Sequence, residues 1–402
     1  MTEGRRSTAR LDALLGRVCA AARVLPALVA DNAVSERARL DAAIGRGEPV
    51  QPRWVWPRRR VDPQAWAVLD EARTLAIGAP AEALYVARLD ELELDLALVE
   101  AIGDGRRVRP IAARRYGTGV TLVDSADGGE PSAPVVDVAR AMLATLAWDR
   151  EARLLPPDAP SNVDSAAARF RRAAEALGLS IEVRVEPRLA ASAAAGERIV
   201  FLAERNFGER ETTRLVAHEL YGHLVAAANG RAQPLGVLKL GTAGSFADQE
   251  GVSLCLEEES GAMDGARLRT LAARVVVTHG MHSGASFGEC ALGLVRDHGL
   301  DVRDAVRTAE RAFRGGGVAR DAAYLVGWLR VRAAVARGDV ALDELRVGRV
   351  GLADVETLRE LRSDGLARGP IYRTSFSMTP RGTSSDTSPP ASAAAVTRFD
   401  AT

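Results

Sequence analysis

The stretch Glu209-Arg210-Glu211-Thr212-Thr213-Arg214-Leu215-Val216-Ala217-His218-Glu219-Leu220-Tyr221-Gly222-His223-Leu224-Val225-Ala226-Ala227-Ala228 reads as one helix, closed by Asn229-Gly230 as a C-terminal signal. Within it, His218-Glu219 is followed by His223. In the common zinc-binding pattern His-Glu-x-x-His, histidines four apart share a helix face and reach one ion. Here the second histidine is five along, which on an ideal helix turns it about 140° from the first. Both can bind one zinc only if the helix widens or breaks, and Gly222 is the residue most able to permit that. On these six residues alone, the competing reading is a pair of core histidines, one of them capped by Glu219.

Outward from this helix, the pattern changes on both sides. Upstream, Ile181-Glu182-Val183-Arg184-Val185-Glu186 alternates apolar and charged residues, which predicts a half-exposed strand. After Pro187 and a small-residue stretch, Ile199-Val200-Phe201-Leu202 predicts a second strand. Downstream, Ser245 to Leu254 begins another helix and contains Gln249-Glu250-Gly251. An acid at a helix start ordinarily serves the helix dipole. Beside a histidine motif, Glu250 is also the candidate third ligand that a catalytic zinc site requires. Everything beyond Asp248 reads as helical, punctuated by Gly261, Gly280, Gly299 and Gly315 to Gly317.

The first 160 residues read as helices, including an amphipathic one through Leu11, Leu14, Leu15 and Val18, a segment across Val136 to Trp148, and a Pro/Trp/Arg-rich connection over Gln51 to Arg60. A further helix from about Val163 to Leu177 stops at Gly178. The expected division is a helical region 1–160, a catalytic region 161–373, and a disordered Ser/Thr/Pro/Ala-rich tail 374–402. The overall expectation is an α+β fold, mostly helical, with a small β-sheet beside the histidine helix.

Lys+Arg and Asp+Glu both number 53, so the formal net charge is zero. That excludes a global attraction to nucleic acid or to an anionic membrane. Lys239 is the single lysine, and the arginine surplus reads as base composition. Cys19, Cys255 and Cys290 form neither a disulfide framework nor a cysteine metal site, and Cys255 and Cys290 are expected to be buried. No apolar run approaches the roughly 20 residues of a membrane span. Asp12, Arg17 and Arg23 interrupt the early apolar residues, which suits an amphipathic helix better than a signal peptide, so the expected compartment is the cytoplasm.

Five ordered segments resemble one family of zinc metallopeptidases, that of the microtubule-associated tyrosine carboxypeptidase and the bacterial flavohemoglobin expression-modulating QEGLA-motif proteins. They are His218-Glu219-x-x-x-His223, Asn229-Gly230-x-x-Gln233-Pro234, Gln249-Glu250-Gly251-Val252-Ser253, Arg311-Ala312-Phe313-Arg314-Gly315, and Arg320-Asp321-Ala322-Ala323-Tyr324-Leu325-Val326-Gly327. The chain departs from the pattern at Tyr221 and Gly222, where the family's glycine comes one residue earlier. It departs again at Ala226, where an arginine is common, and at Val252-Ser253, which replace Leu-Ala.

The resemblance implies a zincin-like fold with one zinc ion held by His218, His223 and Glu250, and with Glu219 as general base. It implies hydrolysis of a C-terminal residue, an aromatic one among the candidates, from a peptide or protein. Tyr324, Arg311 or Arg314 is the candidate oxyanion donor, and Arg314 the first candidate for the terminal carboxylate, since arginine binds carboxylates bidentately. His279 and His282 read as exposed loop histidines and His298 as a helix-end residue. The alternatives are a non-catalytic regulator that keeps the fold, and an endopeptidase that matures a peptide. An intact Glu219 favours an enzyme.

Overall fold

The computed structural model describes residues 3–57, 61–123, 133–148, 153–160, 163–187, 189 and 191–374. Helices dominate, accompanied by small sheets, so the fold is α+β and mostly helical. The expected tail lies outside the described residues beyond Thr374, as do Arg58 to Arg60 of the Pro/Trp/Arg-rich connection. The chain forms two compact units built from interleaved stretches, whereas the sequence reading divides it linearly at 160. One unit takes in the described residues of Met1–Ser125, Gly129–Leu146 and Arg267–Val326. The other takes in those of Ala147–Ala266 and Gly327–Thr402.

The second unit carries the histidine helix and its sheet. The strand Glu182–Glu186 runs parallel to Ile199–Ala203, with Glu182 opposite Ile199. Both strands stand where the sequence predicts them, the first from its alternation and the second from its apolar run. On the far side of Ile199–Ala203 the short strand Ala193–Ala195 pairs antiparallel, with Ala194 opposite Phe201. Three alanines carry little strand preference of their own, and pairing with the central strand selects their conformation. Along the central strand the side chains alternate between faces, and Val200 and Leu202 are fully covered. They pack with Phe170, Phe207, Leu215, Leu220, Leu224 and Val225 in one core, which clamps the histidine helix against the sheet. Burying each such aliphatic or aromatic side chain contributes about 1.5–3 kcal/mol.

The helix Ala166–Ala176 begins at Ser165, whose hydroxyl accepts from Ala168 N, and stops before Gly178 at φ 68°. Ser245–Glu259 forms the long helix that presents Glu250.

The first unit is helical apart from the two-residue strands Leu122–Val123 and Ala133–Pro134. Leu11, Leu15, Leu40, Leu69, Leu89, Leu92 and Leu96 are among its fully covered side chains. The expected amphipathic helix spans Glu3–Ala21, and the expected segment near Val136 spans Val135–Thr145. His279 and His282 are not in a loop as expected. They form the last turn of the helix Gly265–His282, both half-buried, because Gly280 continues the helix and the turn comes at Gly284. His298 does follow a helix end, that of Phe287–Arg296. Cys255 is buried, whereas Cys290 is only half-covered, and no disulfide forms among the described residues. Among the described residues, no helix is long and apolar enough to cross a membrane.

Candidate metal centre

The five-residue histidine spacing is resolved by the helix itself. Glu209–Leu215 is α-helical, Val216–Leu224 is π-helical, and Val225–Arg231 is α-helical again. In a π-helix each hydrogen bond spans five residues, so positions five apart come onto one face. His218 Nε2 and His223 Nε2 therefore stand 3.3 Å apart, with the two rings edge to face. The widening covers nine residues rather than a break at Gly222. Arg346, itself buried and paired with Asp343, donates through Nη1 to the carbonyl of Tyr221 at 2.8 Å and braces the wide turn.

Gly222 has a different task. A Cβ there would lie 2.1 Å from Ser253 Oγ, so its absence lets the helix Ser245–Glu259 lie directly against the histidine helix. Gly251 and Gly327 make a second close crossing, since a Cβ on Gly251 would stand 2.3 Å from the Gly327 carbonyl oxygen.

That packing delivers Glu250. Its Oε2 lies 3.2 Å from His218 Nε2 and 3.6 Å from His223 Nε2. Two ligands each about 2.0–2.1 Å from a tetrahedral zinc stand about 3.4 Å apart. The three separations of 3.2, 3.3 and 3.6 Å fit that geometry. Glu250 Oε2 is also a buried carboxylate oxygen without a hydrogen-bond partner, an arrangement that a cation would satisfy.

His218, Glu250 and Glu219 are buried, and so is Glu257, whose Oε1 is 2.8 Å from His218 Nδ1. Burial acts to pull the His218 imidazole down, but the neighbouring Glu250 and Glu257 carboxylates carry it up to about 10. Burial acts to raise Glu250, and His223 and His218 hold it well below the usual carboxylate range. Three carboxylates beside two imidazoles make an acid-rich cluster that suits a divalent ion.

Glu219 points to the sheet. Its Oε2 accepts from Ala195 N at 2.9 Å, on the side of the edge strand turned away from the central strand. The carboxylate next to the first histidine is thereby fixed in place.

Asn229, Gln233 and Gln249 are structural clasps. Asn229 Nδ2 donates to the carbonyls of Arg346 and Tyr372, and its Oδ1 accepts from Ile371 N and Tyr372 N. Asn229 and Gly230 thus lie inside the helix rather than closing it, and Gly230 packs against Lys239 and Gly348. Gln233 bonds Val347 and Arg368, and Gln249 Nε2 donates to the carbonyls of Leu345 and Val350. All three tie the segment from Leu345 to Tyr372 onto the unit that holds the cluster.

Arg311, Arg314 and Tyr324 belong to the first unit. Arg311 Nε pairs with Asp321, and Arg314 Nη2 stands 4.0 Å from the same carboxylate. The guanidinium of Arg274 lies over the Tyr324 ring at 5.2 Å. Burial acts to raise Asp321, but Arg311, Arg274 and Arg314 hold it below the usual range, while burial pulls Arg314 and Arg274 down. The motif arginines therefore form a half-buried cationic group around one acid. Arg274 and Glu257 are the residues that the motif reading missed. Glu257 had a signal in its position seven after Glu250, two helical turns along and on the same face.

No curated protein and no solved structure gives a match to the chain. The family model described as microtubule-associated tyrosine carboxypeptidase matches residues 52–388, more than four-fifths of the sequence and inclusive of every residue of the cluster. With that span matched, the chain belongs to the microtubule-associated tyrosine carboxypeptidase family.

Proposed function

We propose that the protein is a zinc-dependent carboxypeptidase that removes a C-terminal residue, an aromatic one among the candidates, from a peptide or protein. Family membership supports a peptidase of the tyrosine carboxypeptidase kind. The observation that carries the metal reading is the convergence of His218, His223 and Glu250 at separations suited to one tetrahedral ion. When bound, zinc supplies Lewis acidity and makes water acidic enough to lose a proton near neutral pH.

Glu219 is the general base in this reading. Ala195 N–H holds one of its oxygens, and the other is left to accept a proton from water and return it to the leaving amine. His218 and Glu250 are buried, which strengthens their charge interactions, while His223 stays partly exposed on the side open to water. Tyr324 and Arg311 are the candidate oxyanion donors, and Arg314 the candidate anchor for the terminal carboxylate, a task suited to a planar two-pronged guanidinium.

The substrate is thus a free peptide C-terminus, with neither nucleic acid nor membrane as partner, and the cytoplasm remains the expected compartment. The test is digestion of a peptide library by the full-length protein, read by mass spectrometry before and after chelation. Single-residue losses that stop on chelation and return with zinc support the reading. A zinc-loaded protein that cleaves nothing supports the non-catalytic alternative.

A further inference from the structure

His218 is held at both ring nitrogens by one helix. Glu250 and Glu257 are seven residues apart on Ser245–Glu259, nearly two full turns, so their carboxylates project from the same face. Glu250 Oε2 meets His218 Nε2 at 3.2 Å, and Glu257 Oε1 meets Nδ1 at 2.8 Å. An ionised carboxylate can only accept, so the 2.8 Å contact places the proton on Nδ1. That leaves Nε2 as the nitrogen turned to His223 and Glu250. Glu257 is fully covered, on a helix locked against the histidine helix by the Gly222–Ser253 contact. A carboxylate in that position holds the ring at one angle and in one tautomer, and leaves the ligand nitrogen more electron-rich.

We propose that Glu257 is a positioning residue for the metal centre, fixing His218 with Nε2 directed at the ion and setting the affinity of the site. The inference rests on the zinc reading given above. Glu257 does not touch the ion or the substrate, and it acts through His218.

The test is zinc affinity, measured by competition with a chromophoric chelator on the full-length protein and on the E257Q, E257A and E258Q variants. Glu258 faces Trp328 and Arg332 instead and serves as the neighbouring control. E257Q keeps an oxygen that can accept from Nδ1 but loses the charge, and should weaken zinc about tenfold. E257A loses both and should weaken it towards about a hundredfold. E258Q should bind as the wild type does.

Cobalt substitution gives a second readout, because the visible bands follow ligand strength. They should shift in E257Q and not in E258Q, while the apo protein of E257Q melts as the wild type does. If E257A does not fold, E257Q decides. A folded E257Q that binds zinc as tightly as the wild type, or one that only melts lower with its cobalt bands unmoved, overturns the proposal. A wild-type protein that takes up no zinc overturns the metal reading and this inference together, so the two failures are distinguishable.

Discussion

Gly222 and Ser253 form the point at which the histidine helix and the helix carrying Glu250 touch, with Ser253 Oγ only 2.1 Å from where a Cβ on Gly222 would stand. Glycine in a helix ordinarily costs about 1 kcal/mol against alanine. Here the contact reverses the sign. Gly222→Ala should destabilise the protein by about 1–3 kcal/mol through overpacking, and should weaken metal binding by displacing Glu250. Ser253 Oγ is buried with no hydrogen-bond partner, so Ser253→Ala alone should be neutral or slightly stabilising. The double variant should recover part of the loss, a coupling that denaturant titration of the four proteins measures. Additive effects would contradict the contact.

Gln249 stands beside the candidate ligand Glu250 but serves the fold rather than the chemistry. Its amide satisfies the carbonyls of Leu345 and Val350, both in buried surroundings. Gln249→Ala should therefore cost about 1–3 kcal/mol, because the Val350 carbonyl loses its donor while that of Leu345 keeps a long bond from Val350 N. The denaturation midpoint checks this. A loss under about 0.5 kcal/mol would mean that the clasp is made elsewhere.

The ligand set predicts a sharp dependence on His223. Two protein ligands rarely hold zinc tightly, so His223→Ala should purify with little zinc under conditions where the wild type holds one equivalent. Elemental analysis reads the difference. Near-stoichiometric zinc in His223→Ala would remove that residue from the ligand set.

Much of this arrangement is legible in the sequence because the chemistry-bearing residues follow strong local patterns. The alternation over Ile181–Glu186 and the apolar Ile199–Leu202 each yield a strand, and His218, His223 and Glu250 do converge. What is not legible depends on tertiary contact. The Ala193–Ala195 strand has no pattern and forms only because the neighbouring strand offers an edge to pair with. The π-helical widening over nine residues leaves only the odd histidine spacing as a trace. Asn229 and Gly230 look like a helix stop, yet a distant segment that ends at Tyr372 needs the asparagine as a clasp within the helix. His279 and His282 look like loop residues because Gly280 lies between them, and the packed helix overrides that single glycine.

Glu219→Gln separates binding from chemistry. The amide can still accept from Ala195 N, so the fold and the zinc content should stay at wild-type levels. Turnover should fall by several powers of ten, because the group that accepts the proton is gone while the Lewis acid remains. Activity within about tenfold of wild type would assign the base elsewhere.

The central claim is removal of a single residue from a free C-terminus. The direct measurement offers the zinc-loaded full-length protein matched peptides with free and amidated C-termini and follows the products by mass. The account predicts loss of one C-terminal residue from the free peptides only, with Arg314→Ala slowing that loss strongly. Internal cleavage of both members of a pair would contradict it.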